Sequence, residues 1–188
     1  MPVSVEEYLA LDRAAEIKSE YHDGEMFPIE SVTWIHSRIG VKVAGWLDRQ
    51  LAHSPCRVAG PALRVRVTPT KFVVPDFIVV CGKPVLTDEH QDTVTNPKVI
   101  IEILSPSTKD YDYGGKFEFY RRLASFEEYI LISQNRPRIE TFRKTAENRW
   151  VLSIFDGLES VAAIESLGLA MPLSEVYDGI ELPAVVED

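Results

Sequence analysis

Residues 98–106 read KVIIEILSP, and residues 72–80 read FVVPDFIVV. Both are short β-branched apolar runs, with the composition and length of packed strands rather than helices. Each carries one acid, Glu102 in the first and Asp76 in the second. An ionised carboxylate in such surroundings is costly unless a cation or hydrogen bonds compensate it. Side chains alternate along a strand, so Ile100, Glu102 and Leu104 share one face and Ile101 and Ile103 the other. Pro75 cannot donate to a ladder, which predicts an edge or a bend just before Asp76. A bend there lets two carboxylates on adjacent strands converge. Two readings account for the pair. Either they hold a divalent metal for hydrolytic chemistry, or they are buried acids tied by salt bridges to Lys98, Lys116 or an arginine.

Around these runs the chain alternates helical and extended patterns. Ser4-Val5-Glu6-Glu7 has the capping-box spacing and opens a short helix to about Leu11. Residues 20–27 predict a hairpin turning on Asp23-Gly24. Ile35, Ile39, Val43, Trp46 or Leu47, and Leu51 recur at helical spacing, so a long helix is expected over 32–52, stopped by Pro55. Strands follow at 56–59 and 62–67, and a polar loop at 82–96 is long enough to be a mobile surface element. A helix over 112–124, weakened by Gly114 and Gly115, precedes strands at 128–133, 138–144 and 150–155, the last two as a hairpin. Residues 173–177 read as a terminal helical turn. The pattern is α+β: a single domain over 1–188 in which one mixed central sheet is flanked by helices.

With 20 Lys and Arg against 29 Asp and Glu, the net charge is −9. That balance opposes general nucleic-acid binding, which needs cations against phosphate. Two local stretches offer them: Arg64, Arg66 and Lys71, and then Arg136, Arg138, Arg143 and Lys144. Solvated strand faces produce such clusters routinely, and that is the plainer reading of either stretch. No run approaches the ~20 apolar residues that span a bilayer. The acidic, helix-like N-terminus lacks the basic start and apolar core of a signal peptide, so no membrane association and a cytoplasmic location are expected. Cys56 and Cys81 are too few for a disulfide framework and are expected reduced and buried.

Phosphodiester hydrolysis needs an attacking water, charge stabilisation at phosphorus and help for the leaving group. Hard cations such as Mg²⁺ or Mn²⁺ favour carboxylates plus water. Lys116 and Tyr120 stand one helical turn apart on one face, with Asp112 a turn earlier. Lys116 could position or activate the water or neutralise charge, and Tyr120 could orient it or contact phosphate. The plainer readings are a solvated lysine and a core tyrosine. His36, beside the apolar stripe, could serve as acid/base or water ligand, or be simply hydrogen-bonded. Glu25, after the Asp-Gly turn, could contact metal or water. His22, His53 and His90 have no partner at metal-ligand spacing.

Taken in order, these pieces resemble the Uma-two family of endonucleases within the PD-(D/E)XK superfamily. They are Asp23-Gly24-Glu25, His36 eleven residues after Glu25, Val74-Pro75-Asp76, the run IEILSPST at 101–108, and Lys116 followed by Tyr120. The likeness covers roughly 4–177. It implies a restriction-endonuclease-like core and a site in which Asp76 and Glu102 bind Mg²⁺ or Mn²⁺, with the Ile103 carbonyl as a third ligand. The superfamily lysine, two residues after the second acid, is replaced here by Leu104, which implies that Lys116 on the next helix takes its part. Glu25 would be the supporting acid near the N-terminus. Where family members often carry Trp and then Asp, this chain has Ile130 and Ser133. The resemblance implies a metal-dependent endonuclease acting on nucleic acid, DNA above all. By analogy with enzymes that cut both strands, it also implies a homodimer. The alternatives are a catalytically inactive interaction or scaffold protein of the same fold, and a metal-assisted hydrolase of a smaller phosphoester.

Overall fold

The computed structural model describes residues 2–183. Ser4 caps α1 (Val5–Ala14) through a complete capping box with Glu7. Strands β1 (Ser19–His22) and β2 (Glu25–Pro28) form the expected hairpin. Asp23 and Gly24 both take positive φ, 50° and 106°, as a tight two-residue turn requires. Thr33 caps α2 (Trp34–Leu51), which buries Ile39, Val43, Trp46, Leu47 and Leu51 along one stripe. After β3 (Cys56–Ala59) and β4 (Arg64–Thr68), the run 72–80 divides at Pro75 into β5 (Lys71–Val73) and β6 (Phe77–Cys81). The polar loop contains the short β7 (Thr93–Val94), and β8 (Val99–Leu104) carries Glu102.

Residues 109–120 form a helix in three pieces: α3 (Lys109–Tyr111), a π-helical turn (Asp112–Lys116) and α4 (Phe117–Tyr120). The wide turn falls where Gly114 and Gly115 lower helix propensity. Then come β9 (Glu128–Ser133), β10 (Arg138–Lys144) and β11 (Trp150–Asp156), with β10 and β11 paired antiparallel as expected. The hairpin of β12 (Val161–Ile164) and β13 (Leu169–Pro172), which the sequence reading lacks, precedes α5 (Leu173–Val176).

Besides the β12–β13 pair, two larger sheets stand where one was expected. A six-stranded mixed sheet runs β11-β10-β9-β8-β6-β3, and a five-stranded sheet runs β2-β1-β5-β4-β7. The chain passes from one to the other at Val74-Pro75-Asp76, because Pro75 cannot continue the ladder. β8 is interior to the larger sheet, antiparallel to β6 and parallel to β9. Its alternation is as the pattern predicts. Ile101 and Ile103 pack with α2, while Ile100 and Leu104 pack with Tyr120, Phe126 and Tyr129 on the opposite face. Apolar cover on both faces explains why β8 reads as a continuous hydrophobic run.

One expectation needs correction. Cys56 and Cys81 are half-buried and joined as a disulfide, because β3 and β6 pair with these residues directly opposite. That register lies beyond the reach of sequence spacing. The basic stretches are also largely neutralised within the molecule. Arg64 is buried between Asp12 and Asp92, Lys71 holds Asp23, Arg138 holds Glu140, and Arg143 holds Glu165. No helix among the described residues is long and apolar enough to cross a membrane.

Candidate active site

The crossing between sheets sets Asp76 at the end of β6. Phe77 pairs with Ile101, and one further step of that antiparallel register brings Asp76 opposite Glu102. The two acids interlock there. The Ile103 backbone N–H donates to Asp76 Oδ2 at 2.7 Å, and the Asp76 N–H donates to Glu102 Oε2 at 3.2 Å. His36 Nε2 lies 2.9 Å from Asp76 Oδ1. His36 is itself placed by the helix cap, its N–H donating to Thr33 Oγ1. Gln134 joins this end of α2 to β8, accepting from Thr33 and donating to the Leu104 carbonyl.

On the other side of Glu102, Lys116 Nζ donates to Oε1 at 3.1 Å and the Tyr120 hydroxyl donates to the same oxygen at 2.8 Å. Lys116 is a buried ammonium with two more acids around it, Asp112 Oδ1 at 3.2 Å and Glu20 Oε1 at 3.7 Å. Glu20 is held in turn by the Val74 N–H at 3.0 Å and the Tyr111 hydroxyl at 2.7 Å. Thr108 donates to Asp112 Oδ2 at 2.7 Å. Asp112 Oδ1 is buried without a hydrogen-bond donor, despite its nearness to the ammonium.

Of the residues singled out from sequence, Asp76, Glu102, Lys116, His36, Tyr120 and the Ile103 backbone therefore meet. Glu25 does not join them. It sits on β2, exposed, opposite His22 in the hairpin. Glu20 stands in the cluster instead, delivered by the pairing of β1 with β5. His22, assigned no role, lies 3.2 Å from the Tyr111 hydroxyl and 3.6 Å from Glu20.

Three carboxylates, Glu20, Glu102 and Asp112, thus surround one ammonium, and Asp76 stands beside Glu102. Burial pushes Glu102 up to about 8 against the opposing pull of Lys116. Burial also raises Asp112. For Glu20 burial acts upward too, but the Lys116 charge and hydrogen bonds from His22, Val74 and Tyr111 outweigh it and hold the group low. Burial disfavours the Lys116 ammonium, yet Glu102, Glu20 and Asp112 together carry its pKa well above the ordinary lysine value. A lysine so held stays protonated at neutral pH.

A cavity of about 410 Å³ opens on this cluster, lined by His36, Asp76, Glu102, Thr108 and Lys116 among others. The N-terminal end of α2, where the helix dipole is positive, borders it. Among the described residues no three His, Cys, Asp or Glu side chains form a ready-made metal cage. What the site does offer is two convergent carboxylates, a neighbouring backbone and space for water. That donor set suits Mg²⁺ or Mn²⁺, which commonly bind through one or two carboxylates and retain several waters. The crowding of Asp76, Glu102, Asp112 and Glu20 near a single ammonium favours a further cation there too.

The approach of the β3–β4 turn fixes the backbone at Asp76. Gly60 has φ +136°, and a Cβ added there would stand 2.3 Å from the Asp76 carbonyl oxygen. Gly60→Ala is therefore expected to displace residue 76 and to destabilise the fold by about 1–3 kcal/mol. Denaturant unfolding measures that loss, and a variant as stable as the parent would contradict this reading of the turn.

A family model described as "Putative restriction endonuclease", Uma2, matches residues 5–174. The chain belongs to the Uma2 family. A Synechocystis protein, the uncharacterized sll1609, is 32% identical over 148 residues, covering 78% of this chain and 84% of that protein. A second from the same organism, the uncharacterized slr1290, is 27% identical over 179 residues, covering 95% and 93%. Among solved structures, the crystal structure of "a putative nuclease belonging to DUF820" from Anabaena variabilis has a TM-score of 0.75 with 18% identity. It covers 94% of this chain and 98% of that one. This likeness shows a shared fold. The Uma2 chain thus has the mixed α+β architecture expected of it.

Proposed function

We propose that this Uma2 protein, acting as one domain, is a divalent-metal-dependent endonuclease that hydrolyses nucleic-acid phosphodiesters, with DNA as the principal substrate. The observation that carries the reading is the reciprocal locking of Asp76 and Glu102 beside the ammonium of Lys116. A structural salt bridge would need one acid for one lysine, whereas here three acids meet one and Asp76 adjoins Glu102.

Asp76 and Glu102 would hold Mg²⁺ or Mn²⁺, with the backbone at Ile103 beside them. When bound, the ion would polarise the phosphoryl group and make water more acidic. The protein's own groups do the rest. His36 orients Asp76 through Oδ1, leaving the carboxylate fixed on both sides. Tyr120 and Lys116 fix Glu102 through one oxygen. Lys116, anchored by Asp112 and Glu20, keeps its charge aimed at the cavity, where negative charge develops on phosphorus oxygens. The positive end of α2 acts in the same sense.

The test is a cleavage assay of purified protein with Mg²⁺ or Mn²⁺ on plasmid, linear duplex, single-stranded DNA and RNA. Cleavage that needs the metal and is lost in Asp76→Ala is expected. All four substrates intact with either metal would leave a non-catalytic protein of the same fold.

A further inference from the structure

A second cavity, of about 390 Å³, lies against the first and shares Lys116, Thr108 and Val74 with it. Its walls differ in character. Phe27, His22 and Tyr111 supply aromatic faces, and Glu30 and Ser107 stand at the boundary between the two cavities. The His22 and Phe27 rings are 5.0 Å apart and those of His22 and Tyr111 6.2 Å apart. Phe27 is 43% exposed on β2, a large apolar ring left open to solvent at the mouth. The Tyr111 hydroxyl reaches Glu20, and Glu20 reaches Lys116, so this aromatic wall is one side chain away from the ammonium.

We propose that this cavity is a base pocket: it takes one unpaired nucleobase, stacked on Phe27, while the adjoining phosphate lies at Asp76, Glu102 and Lys116. The inference rests on the phosphodiesterase reading of the neighbouring site. Glu20 and Glu30 balance the Lys116 ammonium at this cavity, which leaves no surplus positive charge for a phosphate and suits an uncharged part of the substrate. Aromatic walls select a planar ring, and Glu30 can accept from its N–H groups. A nucleobase next to a scissile phosphate has all three properties. Charge elsewhere points the same way. Arg64, Lys71, Arg138 and Arg143 are occupied by carboxylates, so of the basic stretches chiefly Arg66, Arg136 and Lys144 are left to face phosphate, few for the two backbones of a duplex. The substrate is then a single strand, or a nucleotide swung out of a helix.

The test uses the full chain with Ca²⁺, a hard dication, and a short single strand carrying one 2-aminopurine, whose fluorescence falls when it stacks. Binding should quench the probe. Phe27→Ala should weaken binding about 5- to 100-fold, the span of one base–aromatic stack. Phe27→Trp should restore both affinity and quenching, and the duplex form should bind more weakly than the single strand. Absence of binding, unchanged affinity in Phe27→Ala, or a duplex that binds as tightly would overturn the pocket. The two readings separate cleanly. Quenching that depends on Phe27, with no cleavage under Mn²⁺, keeps the pocket and removes the nuclease. Metal-dependent cleavage with equal affinity in Phe27→Ala does the reverse.

Discussion

Glu102→Gln is expected to lower Mn²⁺-dependent cleavage on the order of 10³-fold, comparable to removing a preorganised charge from a transition-state site. The substitution keeps the size of the side chain and leaves both oxygen-directed contacts partly served. It removes the charge that Asp76 alone cannot supply to a dication. Little should change in the fold, because Tyr120 can still donate to the amide oxygen and Lys116 retains Glu20 and Asp112. A variant with parental stability and no cleavage places the effect in the chemistry. A variant that cuts at the parental rate would remove Glu102 from the site.

The second large effect is on stability. Lys116→Met takes the only ammonium from among Glu20, Glu102 and Asp112, leaving buried acids without their cation. Breaking a buried pair by deleting one partner costs about 3–5 kcal/mol. The pH dependence identifies the cause. In the parent, Lys116 has a raised folded pKa, so its contribution is complete below the unfolded lysine value of roughly 10.4 and flat across neutral pH. Glu102 and Asp112 are raised by burial in the parent as well, so the change falls chiefly on Glu20: without the ammonium, burial works to raise it, and its ionisation no longer favours folding as pH rises. The deficit of Lys116→Met should therefore be small near pH 4 and grow toward pH 8. Thermal unfolding across that range measures it. A deficit independent of pH would mean lost packing instead of lost charge.

Local chemistry made much of this protein legible from its residues. The Ser4–Glu7 capping box, the Asp23-Gly24 turn and the apolar stripe of α2 each depend on neighbours within a few positions, and all three form as expected. Pro75 signalled the bend at Asp76, but not that the chain changes sheet there, because a missing donor says where a ladder ends and not what comes next. Glu20 was hidden for a similar reason. It lies in a short hairpin strand, and only the pairing of β1 with β5 brings it to Lys116. The signal that could have found it was an acid between two residues of a buried strand, Ser19-Glu20-Tyr21, the same anomaly that marked Glu102. The adjacent Asp-Gly-Glu motif drew attention to Glu25, which shares the hairpin face of Glu20 but stands at its exposed turn end, opposite His22. The disulfide depends on the register of β3 against β6 and left no local trace, whereas the β12–β13 hairpin is local and closes through Gly168 at φ 65°, the signal that could have marked it.

Anomalous diffraction from crystals grown with Mn²⁺ would locate the ion directly. A single strong peak within coordination distance of Asp76 and Glu102, absent in Asp76→Asn, is the predicted result. Density that instead shows those carboxylates still bonded only to Ile103, Lys116 and Tyr120, with manganese elsewhere or nowhere, would contradict it.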